Sequence, residues 1–254
     1  MASTPAIEAV QLGKQYRGGV RALADVDLAV PAGTIYGLLG QNGAGKTTLI
    51  RILLDMIRPS DGSARILGYD CQAEGVEARS HVGYLPSDAR FYSSMTGRDT
   101  FDFVAGVRGI RPDEAYLDSL IERLALDPDR AIHTLSRGNH QKVGLIAALL
   151  AQPEVVILDE PTSGLDPLAQ DTVLDIVREV AASGRTVFFS SHILSEVERV
   201  CDHVAVLRGA QGIQPAGRAV PARGAWTPRL RGERRLRRAD QTPRRVHRGR
   251  HRRA

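Results

Sequence analysis

The segment from Gly40 to Thr47, GQNGAGKT, constrains this 254-residue chain more than any other feature of its sequence. The apolar run Thr34 to Leu39 before it predicts a buried strand, and Lys46 to Ile57 predicts the helix that follows. Glycines let a backbone wrap closely around phosphate groups, and such a helix directs the positive end of its dipole toward them. Strand, loop and helix together predict a phosphate-binding loop for a nucleotide.

The side chains of this loop have separate expected roles. Lys46 supplies a positive charge for the β- and γ-phosphates, and the Thr47 hydroxyl is a natural ligand for Mg²⁺. The backbone amides of the glycine-rich turn are expected to donate hydrogen bonds to phosphate oxygens. The nucleotide-binding residues expected in this region are Gly40, Asn42, Gly43, Ala44, Gly45, Lys46, Thr47 and Thr48.

A second part of the site is predicted at Val155 to Glu160, VVILDE. Glu154 to Leu158 predicts a buried strand, and Asp159 emerges at its carboxyl end, where ligands of open α/β sheets collect. We expect Asp159 to hold Mg²⁺ directly or through water, and Glu160 to polarise a water molecule against the γ-phosphate. The expected cofactors are ATP and Mg²⁺, and the expected reaction is hydrolysis of ATP to ADP and phosphate.

Apolar and helical segments alternate along most of the chain. Arg185 to Ser190 and Val204 to Leu207 predict further strands, and Leu168 to Ala181 predicts a helix. Between about 88 and 134, two amphipathic stretches follow each other with no strand between them. The pattern predicts an α/β fold, a P-loop NTPase core with a mostly parallel sheet, and an inserted helical subdomain. The predicted organisation is a discontinuous ATP-binding core at 6–87 and 135–209, a helical subdomain at 88–134 and a basic tail at 210–254.

The charge of the chain is divided unevenly. Fifteen arginines and two acidic residues lie between Arg208 and the last residue, out of 34 basic and 29 acidic residues in the whole sequence. After about Gly209 the hydrophobic periodicity ends, so we expect a disordered basic tail. It either binds acidic lipid or nucleic acid through its charge, or is an out-of-frame ending, which the excess of arginine over lysine favours. No specific nucleic-acid partner is expected.

What the sequence lacks makes a membrane-spanning or secreted protein unexpected. The longest apolar stretch, Val143 to Ala151, is half as long as a membrane span. The N-terminal residues carry Glu8 and have no basic region typical of a secretion signal. Cys71 and Cys201 form neither a disulfide framework nor a zinc spacing, so we expect a reduced, cytoplasmic protein.

The segment Leu135 to Lys142, LSRGNHQK, lies between the two nucleotide motifs. With these motifs in this order, roughly residues 6 to 208 resemble the ATP-binding subunits of ABC transporters, whose signature is usually written LSGGQ. The resemblance implies that Ser136 and Gly138 reach the γ-phosphate of a nucleotide bound to the other subunit. Arg137 and Asn139 depart from the signature, since they replace a glycine and a glutamine. Ser136 also predicts the N-cap of the following helix, and both roles can coexist.

The resemblance implies roles for three more regions. Ser163 to Asp166 is similar to the family's loop that contacts the opposite subunit, so Asp166 is expected near the nucleotide. His192, after the strand that ends at Ser190, matches the histidine that contacts the γ-phosphate, and is expected to be catalytic. Tyr16 matches the aromatic residue that stacks on adenine, with a tyrosine of the hydrophobic core as the alternative.

The segment Val82 to Asp88, VGYLPSD, lacks the glutamine that the family places at the entry to its helical subdomain. Ser87 stands at that position and is the expected third metal contact, with Asp88 beside it. The aromatic residues that follow lie where family members receive a short helix of their membrane subunit. These aromatic residues are Phe91, Tyr92, Phe101 and Phe103. For most of the four, burial in the core of the helical subdomain is the favoured interpretation.

The resemblance implies a homodimer around two Mg-ATP that drives a separate membrane permease, with this chain peripheral on the inner face of the cell membrane. The segment Ser136 to Leu150, SRGNHQKVGLIAALL, resembles the corresponding segment in the ATPases of bacterial drug- and antibiotic-resistance exporters. One alternative is a soluble ABC-type ATPase that acts on ribosomes or DNA, although such proteins usually have two nucleotide domains or long coiled coils. Another is a remnant of a transporter ATPase that is folded but uncoupled.

Overall fold

The computed structural model describes residues 4–208 and 213–218. The strands are β1 (Ile7–Gln15), β2 (Arg21–Val30), β3 (Ile35–Leu39), β4 (Asp61–Ile66), β5 (Tyr69–Asp70), β6 (Val82–Leu85), β7 (Val155–Asp159), β8 (Thr186–Ser191), β9 (His203–Leu207) and β10 (Ile213–Arg218). The helices are α1 (Lys46–Leu53), α2 (Gly75–Ser80), α3 (Gly97–Arg108), α4 (Glu114–Arg123), α5 (Arg137–Leu149), α6 (Pro167–Ala182) and α7 (Leu194–Val200). None of the helices in this part of the chain is both long enough and apolar enough to cross a bilayer.

The main sheet has the strand order β10-β9-β3-β8-β7-β6. Its strands from β9 to β6 are parallel, as predicted for an α/β fold, and β10 pairs antiparallel at the edge. Every residue of β7 and β8 is buried. A parallel strand covered by helices on both faces is apolar almost throughout, which explains why these two strands were recognisable from sequence.

A second sheet, with the order β2-β1-β4-β5, is antiparallel and was not separated from the core by the sequence analysis. In β2, buried and exposed residues alternate over most of the strand, as expected for a sheet with one solvated face. Its buried face packs with α1 in one hydrophobic cluster, which includes Ile7, Leu23 and Leu49. This sheet holds the N-terminal segment against the helix that follows the phosphate loop.

Helix α1 ends at Leu53, four residues before its predicted end at Ile57. Asp55 adopts a left-handed backbone conformation with a φ of 53°, which stops the α-helical hydrogen-bond pattern. The predicted helix end at Ile57 is therefore about one turn too late. The other predicted strands and the predicted helix α6 agree with the structure to within a residue or two at each end.

Helices α3 and α4 lie between β6 and α5, where the two amphipathic stretches were predicted. Thr96 and Asp99 form a reciprocal capping box at the start of α3, and Gly109 ends it with a φ of 64°. The buried faces of α3 and α4 pack with α5 in one cluster through Phe101 and Leu117.

Strand β10 lies inside the segment predicted to be a disordered tail from 210 onward, so that prediction does not hold for these six residues. Ile213 pairs with Leu207, and Pro215 pairs with Ala205 of β9. An edge strand pairs through its backbone and tolerates a proline, so its hydrophobic pattern is a weak signal. The rest of the predicted tail, 210–212 and 219–254, lies outside the described residues.

Candidate functional site

Three neighbouring parallel strands end at one edge of the main sheet, and each leads into predicted site residues. Leu39 of β3 pairs with Ser191 of β8, and Ser190 pairs with Asp159 of β7. The phosphate loop after β3, the acidic pair at the end of β7 and His192 after β8 therefore meet at this edge. This is where open α/β sheets bind ligands.

The phosphate loop needs its glycines for two different reasons. Gly43 and Gly45 have φ values of 81° and 101°, which L side chains rarely adopt. A Cβ on Gly45 would lie 2.6 Å from the carbonyl oxygen of Ala22, and one on Gly40 would lie 2.9 Å from that of Leu207. A Cβ on Gly43 would meet nothing within 4 Å, so the turn opens there onto free space of the kind that a phosphate group can fill.

Lys46 is buried at the first position of α1, with only 5% of its side chain exposed. Its ammonium group donates a hydrogen bond to the carbonyl oxygen of Gly40 at 2.7 Å and lies 3.1 Å from Oε1 of Glu160. The loop thus closes around the lysine, and the lysine joins it to the end of β7.

Asp159 and Thr47 form a pair of oxygen donors beside the loop. The Thr47 hydroxyl donates to Oδ2 of Asp159 at 2.8 Å, and Ser190 donates to Oδ1 at 2.5 Å. Hydroxyl and carboxylate oxygens are the ligands that Mg²⁺ prefers, so the two residues fit this ion. Within 4–208 and 213–218 there is no cluster of three or more His, Cys, Asp or Glu that could hold a metal, so most ligands of such an ion would come from phosphate and water.

Glu160 follows Asp159 in the left-handed conformation, with a φ of 53°. Its amide donates to the carbonyl oxygen of Ser190 at 3.1 Å, which holds this turn on β8. Its carboxylate lies between two side chains, since Oε1 faces Lys46 and Oε2 lies 3.3 Å from Nδ1 of His192. Gln141, buried on α5, donates to the Glu160 carbonyl oxygen at 3.2 Å. Sequence reasoning missed Gln141 and Ser190, and the available signal was a polar residue within a buried segment.

Tyr16 lies at the outer edge of the same site and is not part of the core. Its hydroxyl is 3.3 Å from Oγ1 of Thr48, and more than a third of the residue is exposed. The ammonium group of Lys14 lies 5.4 Å from the ring centroid. The alternative of a core tyrosine is therefore wrong, and the exposed ring is available for stacking. Asn42 is exposed on the loop.

Ser136, Gly138 and Asp166 form a second group of predicted residues. Ser136 caps α5 by accepting the Asn139 amide at 3.3 Å, as predicted. A Cβ on Gly138 would lie 2.9 Å from the carbonyl oxygen of Gly164, so close packing requires this glycine. No hydrogen bond or ion pair of the described residues joins this group to the phosphate loop. The structure therefore brings the predicted site together as two separate groups.

A hydrogen bond connects the start of α5 with the loop before α6. Arg137, one of the two departures from the signature, donates to Oγ of Ser163 at 3.1 Å. Asp166 caps α6 by accepting the Ala169 amide at 2.9 Å, and this hydrogen bond is the main cause that lowers the pKa of the Asp166 carboxyl.

Ser87 is half-buried just after β6, and its side chain makes no hydrogen bond with the described residues. Asp88 forms an exposed ion pair with Arg90 at 2.8 Å. Neither residue forms a hydrogen bond with Asp159 among the described residues, and the third metal contact at Ser87 stays a prediction. The pKa of Tyr84 in β6 is raised to about 12, first by burial and second by the charge of Asp159.

The aromatic cluster of the helical subdomain divides into two pairs. Phe101 is buried and Phe91 packs partly buried against the same core, as expected. Tyr92 and Phe103 are 63% and 46% exposed, and their rings meet edge to face at 5.8 Å. The expectation of core packing is therefore wrong for this second pair, which forms an aromatic surface.

The sequence of this chain matches one family model and several curated proteins. The sequence model of the family described as ABC transporter matches residues 23–163. An ABC transporter ATP-binding protein of Synechocystis sp. is 39% identical over 215 residues, which are 79% of this chain and 60% of that protein. The daunorubicin/doxorubicin resistance ATP-binding protein DrrA of Streptomyces peucetius is 36% identical over 209 residues, 80% of this chain and 63% of that protein.

The fold of this chain also matches that of solved structures. A solved structure described as the ATP-binding subunit of an ABC transporter matches with a TM-score of 0.75 and 31% identity, over 80% of this chain and 86% of that one. The chain spans less than two thirds of the length of the two curated relatives. With the family matched over more than half of the sequence and the fold shared, the chain belongs to the ABC transporter family, among its ATP-binding proteins.

Proposed function

We propose that this chain binds ATP with Mg²⁺ and hydrolyses it as the nucleotide-binding subunit of a transporter. The observation that carries the proposal is the meeting of a buried lysine, two carboxylates and a histidine at one sheet edge, with Glu160 between Lys46 and His192 at 3.1 and 3.3 Å. Phosphoryl transfer depends mainly on positioned charges and on a group that orients the attacking water. This cluster supplies both.

Each residue has a role that follows from its contacts. On nucleotide binding, Lys46 exchanges the Glu160 carboxylate for the phosphate oxygens, which leaves Glu160 available to accept a proton from the attacking water. His192 faces the same carboxylate and is placed to orient it toward the γ-phosphate. Thr47 and Asp159 would hold Mg²⁺, which when bound neutralises charge on the phosphate oxygens.

A homodimer around two nucleotides follows from the division of the site. Ser136 and Gly138 lie apart from the phosphate loop of their own chain, so we propose that they complete the site of a second copy. Leu168 lies two residues after Asp166 and Ile193 directly follows His192. Both are exposed apolar residues, consistent with a face that a second copy covers.

A separate membrane permease is the proposed partner, with this chain peripheral on the inner face of the membrane. Tyr92, Phe103 and Val107 form an exposed apolar patch on α3 and the loop before it, and such patches mark interaction sites. The Streptomyces relative is named as a daunorubicin/doxorubicin resistance protein, which supports drugs or antibiotics as the proposed exported substrates. The Synechocystis relative is named as an ABC transporter ATP-binding protein, which favours transport over action on ribosomes or DNA.

The test is ATP hydrolysis by purified protein carrying Glu160→Gln. We expect the rate to fall at least about 100-fold, since a general base contributes this much, while Mg-ATP binding is retained. Lys46→Ala is expected to weaken binding itself, and Glu198→Gln on the exposed face of α7 is the matched control for an unaffected rate. An unchanged rate in Glu160→Gln would remove this residue from the proposed role.

A further inference from the structure

Glu196, on α7, is a buried carboxylate that the proposed reaction does not use. Only 7% of the residue is exposed, and no basic side chain of the described residues lies within ion-pair distance of it. Burying a carboxylate without a cation is costly unless hydrogen bonds compensate. Its two oxygens each accept one, from Oγ1 of Thr162 at 2.7 Å and from Oγ of Ser191 at 2.6 Å.

The two hydroxyl groups belong to two different loops of the site. Thr162 is two residues after Glu160, at the start of the loop that leads through Ser163 to the Asp166 cap of α6. Ser191 directly precedes His192, and its Oγ also accepts the Ile193 amide at 2.9 Å. One carboxylate therefore joins the loop after β7 to the turn that carries His192.

Helix α7 provides a rigid base for this link. Val197, next to Glu196, is completely buried. A Cβ on Gly37 of β3 would lie 2.7 Å from Cγ1 of Val197, so the helix packs directly on the backbone of the main sheet. The packing of α7 therefore fixes the carboxylate relative to β3, and the two hydrogen bonds of the carboxylate hold the two loops.

We propose that Glu196 is a positioning residue that couples the loop from Thr162 to Asp166 with His192. The inference rests on the proposed function, in which this loop faces the second copy and His192 faces the γ-phosphate. A displacement of the loop by the partner then reaches His192 through Thr162, Glu196 and Ser191. Closure of the dimer is thereby linked to the group that orients Glu160.

The first test uses the nucleotide-free protein and needs no activity. Thr162→Val keeps the shape of the side chain but removes its hydrogen bond to Glu196. We expect amide hydrogen exchange at Ile193, whose amide donates to Ser191, to become about tenfold faster, the equivalent of one hydrogen bond to a charged group. Thr172→Val, which loses a hydroxyl hydrogen bond within α6, is the matched control for unchanged exchange there. Faster exchange confined to the loop from Thr162 to Asp166 would overturn the proposal.

The second test compares kcat and KM for ATP in Glu196→Ala and Glu196→Gln. We expect Glu196→Ala to lower kcat about tenfold with KM within about twofold, since the loss of a positioning hydrogen bond affects the reaction more than binding. Glu196→Gln retains one accepting oxygen and should recover part of kcat, while Glu198→Ala on the same helix should change neither constant.

The outcomes separate this proposal from the proposed function. If the wild type is active, an unchanged kcat in Glu196→Ala would overturn the coupling and leave the proposed function intact. A fall in kcat accompanied by a rise in KM of similar size would do the same. An inactive wild type would refute the proposed function, and the exchange measurement would then decide on Glu196 alone.

Discussion

Without a nucleotide, Lys46 is paired with Glu160, because the two side chains form a largely buried ion pair at 3.1 Å. A nucleotide must compete with this contact for the lysine. We therefore expect Glu160→Gln to bind ADP about threefold to tenfold more tightly than the wild type, since a partly buried ion pair is worth on the order of 1 kcal/mol. Isothermal titration calorimetry with ADP avoids hydrolysis. His192→Ala is the control, since it leaves the lysine contact intact, and equal or weaker ADP binding by Glu160→Gln would contradict the prediction.

Gly45 and Gly43 provide a second prediction at the residue scale, because both have positive φ but only Gly45 is enclosed. Alanine at either position costs about 1–2 kcal/mol for the left-handed backbone. Gly45→Ala adds a clash with the Ala22 carbonyl, so we expect its free energy of unfolding to fall by at least about 1 kcal/mol more than that of Gly43→Ala. Urea unfolding of the two variants measures this difference, and equal losses would mean that the loop relaxes around the added methyl group.

Asp166 caps helix α6, and its contribution to the free energy of unfolding should change with pH. The Ala169 amide lowers the pKa of Asp166 in the folded protein, so the ionised carboxyl stabilises the fold above its unfolded pKa of about 3.8. This contribution is lost as the pH falls through the lower, folded pKa. We expect Asp166→Asn to be less stable than the wild type at neutral pH and to match it in strong acid. Urea midpoints compared across this range give the result, and a constant difference would exclude the titration of Asp166 as the cause.

Strand β10 should matter more than the residues after it. Truncation after Arg218 keeps the strand and removes no predicted nucleotide contact, so we expect ATP affinity within a few-fold of the full chain. Truncation after Arg208 exposes the backbone edge of β9, which is expected to lower stability and promote association. Thermal unfolding and light scattering of the two truncations distinguish these effects, and identical behaviour would make β10 dispensable.

At the scale of the whole molecule, the division of the site into two groups predicts a nucleotide-dependent dimer. In the Glu160→Gln background, where ATP persists, we expect ATP to shift the protein from monomer to dimer on size-exclusion chromatography. Lys46→Ala should stay monomeric at the same ATP concentration, because the nucleotide that joins the copies is not held. A monomer of Glu160→Gln at saturating ATP would rule out self-pairing and leave pairing with a different chain.

Local patterns in the sequence were sufficient for the phosphate loop, the buried strand before Asp159 and the two amphipathic helices of the insertion. Each is encoded by neighbouring residues, since glycine spacing, β-branched runs and helical periodicity need no distant partner. Tertiary structure alone decided the early end of α1 at Leu53, the antiparallel sheet around β1, and the pairing of β10.

The same holds for the contacts within the site. Lys46 and Glu160 are more than a hundred residues apart, and their contact depends on the register of β3, β8 and β7. Glu196 has an unremarkable place in the sequence, and only the packing of α7 on Gly37 brings its two oxygens to Thr162 and Ser191. Residue types and spacing determined by themselves which chemistry this chain carries. The burial of both faces of the sheet, which sets strand register, decided which of those groups touch.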